Sequence, residues 1–92
     1  MKLGDNTVSD SEYVVGINPD AAFSVFHEDR HGRLIFVLEV DETPKKIYLN
    51  SRPSENGRAV DAQTESAKER VSLAIDRVKA YFEGQGLSVD ID

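Results

Sequence analysis

Hydrophobic and polar residues alternate along four stretches in the first half of the chain, at residues 12–17, 21–27, 33–40 and 45–50. A period of two is typical of a β-strand that has one face against a core and the other toward solvent. Turn-forming residues such as Pro19, Gly32 and Pro44 separate these stretches. The pattern therefore predicts four strands that short turns join into an antiparallel meander.

The third stretch, Arg33 to Val40, is the longest apolar run and is rich in β-branched and aromatic residues. We interpret it as the central strand of the sheet. Its alternation predicts a core-facing side that carries Leu34, Phe36, Leu38 and Val40. In the second strand, the same reasoning places Phe23 and Val25 on one face and Phe26 on the other.

A long amphipathic helix is predicted in the second half of the chain, after a loop at residues 51–59. Apolar residues recur on one helical stripe at Ala67, Val71, Ala74, Ile75, Val78, Tyr81 and Phe82. Asp61 or Thr64 is suited to cap the start of this helix, and Gly84 is suited to end it. We expect the apolar stripe to pack on the core-facing side of the sheet.

Residues 87–91 alternate again and predict a short fifth strand. Beside the fourth strand it would be parallel and would need a right-handed crossover. Beside the first strand it would be antiparallel, and we favour this place because antiparallel pairs are commoner. The predicted fold class is α+β: a four-stranded antiparallel meander, one long helix on one face and a short final strand, in the order β-β-β-β-α-β.

The chain has 92 residues, which is the size of one domain. Residues 1–11 are mostly small and polar without apolar periodicity, so we expect a disordered tail ahead of a single domain at residues 12–92. The chain has no Cys, and it shows neither a secretory signal pattern nor an apolar run near the roughly 20 residues of a membrane span. These features favour a cytoplasmic protein that does not associate with membranes.

The net charge of −6 lies entirely in the first half of the chain. Residues 1–44 hold nine acidic and three basic residues, whereas residues 45–92 hold eight of each. Binding to nucleic acid needs a basic surface, so this charge disfavours a nucleic-acid partner. One segment differs, because Arg52 and Arg58 flank a loop of net positive charge. Loops often carry binding residues, so these two are candidates for binding a small anion.

His27 and His31 stand four residues apart with Glu28 and Asp29 between them, and metals bind such residue types. They flank a predicted hairpin loop, and the chain offers no third His and no Cys, so we predict a polar turn and no metal site. The chain also has no Gly-x-Ser-x-Gly elbow and no phosphate-binding Gly loop ahead of a helix. We therefore expect no catalytic residues, no cofactor and no enzymatic activity.

The face of the sheet opposite the predicted helix carries apolar residues at Ile35, Val37, Tyr48, Phe26 and Val14. One helix cannot cover both faces of a sheet, and an exposed apolar patch usually marks a partner surface. The sequence therefore favours a small non-enzymatic module that binds protein, either another chain or a second copy. The contact would use Ile35, Val37, Tyr48 and Phe26 on the open face, or an edge strand.

Two alternatives stay open. In the first, the protein is a homodimer whose interface uses up the sheet face, which leaves Arg52 and Arg58 to bind a small anionic ligand. In the second, the protein is an inhibitor or immunity-type accessory protein. This hypothesis rests only on the analogy of size and acidity. A small enzyme would need a deep pocket with converging polar groups.

Overall fold

The computed structural model describes residues 8–9, 13–18, 23–42 and 45–92. These residues form one sheet of eight strands and one helix. The strands are β1 (Val8–Ser9), β2 (Tyr13–Ile17), β3 (Ser24–Asp29), β4 (Gly32–Glu42), β5 (Lys45–Leu49), β6 (Ser54–Glu55), β7 (Arg58–Ala59) and β8 (Ser88–Ile91). The helix α1 spans Glu65–Glu83, between β7 and β8.

The sheet order is β1-β2-β3-β4-β5-β8, with β6 paired to β4 and β7 paired to β6. Strands β2 to β5 are the predicted meander, and all of their pairings are antiparallel. The strand β4 is central and is 11 residues long, so it pairs with β3 along its first half and with β5 along its second. The α+β class, with one helix packed on the sheet, is confirmed.

The predicted position of the final strand is wrong. Strand β8 lies beside β5 and is parallel to it, with Ile47 opposite Val89, instead of lying beside the first strand of the meander. Two physical reasons account for this. The edge next to β2 is already occupied by β1, and α1 carries the chain about 28 Å back along the sheet to the start of β5. Since only four residues separate α1 from β8, the final strand has to form near the end of the helix.

The core lies between α1 and one face of the sheet, as predicted. Leu34, Phe36 and Leu38 of β4 are fully or almost fully buried there. From the predicted helical stripe, the buried residues are Val71, Ala74, Val78, Tyr81 and Phe82, and Ala67 and Ile75 are half-buried. Of the two candidate caps, Thr64 is the one used, because its hydroxyl oxygen accepts a hydrogen bond of 3.1 Å from the Ala67 N–H.

Phe23 is not part of the core, although the alternation grouped it with Val25. It precedes β3 in a turn, has a φ of +56° and leaves 57% of its surface exposed. A positive φ turns the chain out of the pleat, so the period of two does not extend back from Val25 to Phe23. Val25 itself is fully buried on the core side.

The residues predicted to form a loop at 51–59 include a small hairpin of β6 and β7. Its turn is Asn56-Gly57, and both residues have positive φ, +54° and +78°. Two-residue turns of this kind favour Asn-Gly because few other residues tolerate both conformations. At the other end of the chain, Val8–Ser9 pairs with β2, which the prediction of a tail did not anticipate. The rest of that predicted tail lies outside the described residues.

Arg70 of α1 connects the helix to the β3–β4 hairpin and to the β6–β7 hairpin. Its guanidinium donates to both carboxylate oxygens of Glu55, at 3.2 and 2.7 Å, and to the backbone oxygen of His31 at 3.3 Å. The hydrogen bonds to Arg70 lower the pKa of the Glu55 carboxyl group. Gly32 leaves room for this arrangement, because a Cβ at that position would lie 2.5 Å from a Glu55 carboxylate oxygen.

The two faces of the sheet differ in what they contribute to stability. Phe36→Ala should lower the free energy of unfolding by about 3–5 kcal/mol, because it empties a fully enclosed site. Val37→Ala, one residue along on the other face, should change it by about 0.5 kcal/mol or less in dilute solution. Denaturant titration measures both, and equal losses would contradict the assignment of the faces.

Two glycines with positive φ differ in the space around the position of a Cβ atom. Gly57→Ala should cost about 1 kcal/mol of stability, because its φ of +78° is strained for Ala but no atom lies within 4 Å of the new Cβ. Gly32→Ala should cost at least about 2 kcal/mol, because it also displaces Glu55 from Arg70. Thermal and urea unfolding of both variants checks this, and similar losses would mean that Glu55 moves aside without cost.

Candidate functional site

The open face of the sheet is the side opposite α1, and we define it by the outward-facing residues of β2 to β5 and β8. Val37 lies near its centre and is 60% exposed, while Tyr48 on the neighbouring strand is 39% exposed. Ile35 is half-buried. The register places Tyr48 opposite Glu39, two residues along β4 from Val37. The structure thus brings three of the four predicted partner-binding residues together at one accessible surface.

Phe26, the fourth of these residues, is only 8% exposed. The guanidinium of Arg33 lies over its ring, with the central carbon 4.4 Å from the ring centroid. The same guanidinium holds Glu28 through a 2.8 Å hydrogen bond between Nε and a carboxylate oxygen. The open face is therefore smaller than the alternation suggested, because Arg33 covers the part of it that lies on β3.

Charged residues surround the apolar centre of the open face. Lys46 forms a 2.8 Å ion pair with Asp90, and the hydrogen bond to Asp90 raises the pKa of the Lys46 ammonium group. Glu39, between Val37 and Asp41 on β4, is exposed, and its carboxylate has no hydrogen bond or ion pair within the described part of the chain. The surface thus resembles a small interface, with an apolar centre and a polar rim.

A cleft on the other side of the molecule is a second candidate site. It has a volume of about 850 Å³ and lies between the β3–β4 turn and the exposed flank of α1. Its lining residues are Asp29, Arg30, His31, Ser66, Ala67, Glu69, Arg70, Leu73 and Arg77. No local sequence pattern indicated this cleft, because the turn and the helix are far apart in the chain and only the fold brings them together.

A partly buried cluster of two rings and a guanidinium group lies next to this cleft. The ring of His27 stacks on Tyr13 with 5.6 Å between the centroids, and the guanidinium carbon of Arg77 lies 4.0 Å from the Tyr13 ring centre. A guanidinium nitrogen of Arg77 is 3.2 Å from His27 Nε2. Because Arg can only donate, Nε2 accepts this hydrogen bond and the imidazole is neutral, with its proton on Nδ1. Alternation could have revealed the position of His27, since it lies two residues from the buried Val25.

Burial lowers the pKa of His27 below its ordinary value of 6.5. Asp29 opposes this shift, whereas the positive charges of Arg77 and Arg70 add to it. A protonated ring would lose its hydrogen bond from Arg77 and place a second cation 3.2 Å from that guanidinium. The hydrogen bond from Arg77 to His27 therefore requires the neutral imidazole.

His27 and His31 do not converge. His27 is buried on the core side of β3, whereas His31 is exposed in the turn, where its Nε2 is 3.4 Å from Arg30 Nε. Among the described residues, no group of three or more His, Cys, Asp or Glu side chains is arranged to hold a metal ion. The two candidate anion-binding residues, Arg52 and Arg58, are both exposed, and no contact joins their guanidinium groups in the described segments. Their role stays a prediction.

Comparison of the chain with protein-family models, with curated proteins and with solved structures gave no match. In the described part of the chain, α1 is not apolar enough to cross a membrane. The fold and the surface therefore define the chain only as an α+β domain with one covered and one open sheet face.

The neutral state of His27 makes stability depend on pH. As the pH falls through 6.5, the unfolded chain binds more protons than the folded chain, because the folded pKa of His27 is the lower one. The free energy of unfolding should therefore fall as the pH falls through 6.5. His27→Gln should flatten this dependence, whereas His31→Gln should retain it.

Urea titrations of the three proteins at several pH values above 5 measure these slopes. The Glu55 carboxyl group does not interfere in this pH range, because its pKa is lowered. Its contribution to stability is lost only at more acidic pH. An unchanged slope in His27→Gln would show that another group is responsible.

Proposed function

We propose that this protein is a small non-enzymatic module that binds another protein through the open face of its sheet. The observation that carries the proposal is Val37, an aliphatic side chain 60% exposed in the middle of the central strand. Tyr48 and Ile35 extend the apolar surface on either side of it. Aromatic and aliphatic groups at the centre of a patch with charged groups at its rim are the usual composition of a protein interface.

The cleft beside the β3–β4 turn supports a catalytic role less well. One of its cations, Arg70, is held by both carboxylate oxygens of Glu55, and the nearby His27 stacks on Tyr13 and contacts Arg77. A general acid or base has to reach a substrate with its titrating atom. His27 does not line the cleft, and two of the charged groups that do, Arg70 and Asp29, are already engaged in contacts within the fold.

Val37→Lys tests the proposal, because it places a charge at the centre of the surface that a partner would desolvate. Tagged wild-type protein should capture a partner from an extract of the cells that make it, and Val37→Lys should lose that partner by at least tenfold. Leu73→Lys is the matched control, since Leu73 is also an exposed aliphatic residue but lies on α1. This variant should capture the same partner as the wild type.

Circular dichroism of both variants should match the wild type, because both side chains are exposed. Identical capture by Val37→Lys and wild type would refute the use of this face. If Val37→Lys unfolds and Leu73→Lys does not, the description of Val37 as a surface residue is contradicted. The capture is then repeated with Val37→Ser, which is a smaller change.

A further inference from the structure

The open-face residues of β4 have a charge pattern that reverses along the strand. From Arg33 to Glu39 they read a cation, the two apolar residues Ile35 and Val37, and an anion, spaced about 6.6 Å apart, and Asp41, which pairs with Lys46, follows as a second anion. Such a pattern is complementary to its own reverse. Two copies of the strand that face each other in opposite directions bring Arg33 of each copy opposite Glu39 of the other.

We propose that the partner on the open face is a second copy of this chain, related by a two-fold axis that crosses β4 at right angles between Ile35 and Val37. This inference rests on the function proposed above and names its partner. The axis places Ile35 opposite Val37 of the second copy and Arg33 opposite Glu39 of the second copy. Each contact occurs twice, because the interface is isologous.

The two charged residues are available for this contact. Glu39 is exposed, and its carboxylate makes no polar contact with the described residues. Arg33 uses its Nε to hold Glu28 and has a side chain that is 42% exposed, so its remaining N–H groups can reach a second carboxylate. Tyr48, opposite Glu39 in the register, adds aromatic surface next to this pair, and Lys46 Nζ lies 5.5 Å from the centroid of its ring.

The charge pattern also selects the direction of the axis. With a two-fold axis parallel to β4, Arg33 would face Arg33 and Glu39 would face Glu39, and like charges in contact oppose association. The perpendicular axis turns both repulsions into attractions. Facing sheets pack about 10 Å apart with their strands near 30° from alignment, and side chains as long as Arg and Glu accommodate that angle.

Charge reversal provides the test. Arg33→Glu and Glu39→Arg should each weaken the dimer at least tenfold in sedimentation velocity at low salt, because each converts both charge pairs into like pairs. An equimolar mixture of the two variants should form a heterodimer with an affinity near that of the wild type. In that heterodimer, both carboxylates of the Arg33→Glu variant face arginines of the Glu39→Arg variant. The double variant Arg33→Glu/Glu39→Arg should also regain self-association.

Several outcomes would overturn the proposal. These are a wild type that stays monomeric at the highest attainable concentration, single variants that dimerise like the wild type, and a mixture that stays monomeric. Should Arg33→Glu fail to fold without the Glu28 and Phe26 contacts, Glu39→Arg and Glu39→Gln alone decide, with the reversal weakening the dimer more than the neutral change. A monomeric wild type that still captures another protein through Val37 refutes the second copy and leaves the proposed function standing, whereas capture independent of Val37 refutes that function itself.

Discussion

A single helix can cover only one face of a sheet, and this constraint shapes the whole molecule. Helix α1 is 19 residues long and lies over one side, where the fully buried Ala74 lets the helix backbone approach the strands. Large side chains such as Phe36 and Phe82 are fully buried in the same core. Burial of these groups supplies the main driving force for folding, and every other feature has to be accommodated around it.

Arginines at the border between helix and sheet connect elements that the core alone does not orient. Arg70 and Arg77 are seven residues apart and therefore project from the same side of α1. One reaches the β6–β7 hairpin through Glu55, and the other reaches β2 and β3 through Tyr13 and His27. These contacts are partly shielded from water, so the charge-assisted hydrogen bonds contribute more than surface ion pairs do. They also explain why Gly32 and a neutral His27 are needed where they stand.

The side of the sheet without a helix is covered unevenly. Arg33 shields Phe26 from solvent by lying across its ring, which is a common way for a long cationic side chain to cover apolar surface. No equivalent side chain in the described part of the chain shields Val37, and this difference separates a protected aromatic residue from an exposed aliphatic one on the same face. The apolar centre and the charges around it are consistent with a contact surface formed by β4 and β5.

Local periodicity by itself determined the meander, the helix with its buried stripe, and the two faces of β4, because each depends on residues close together in the chain. The same alternation identified Ile35, Val37 and Tyr48 as one surface. Only the tertiary structure decided that Phe26 is shielded, that Arg70 meets Glu55, and that β8 pairs in parallel with β5. Each of these depends on contacts between residues distant in the sequence, and on which sheet edge remained free, and a local pattern carries no information about either.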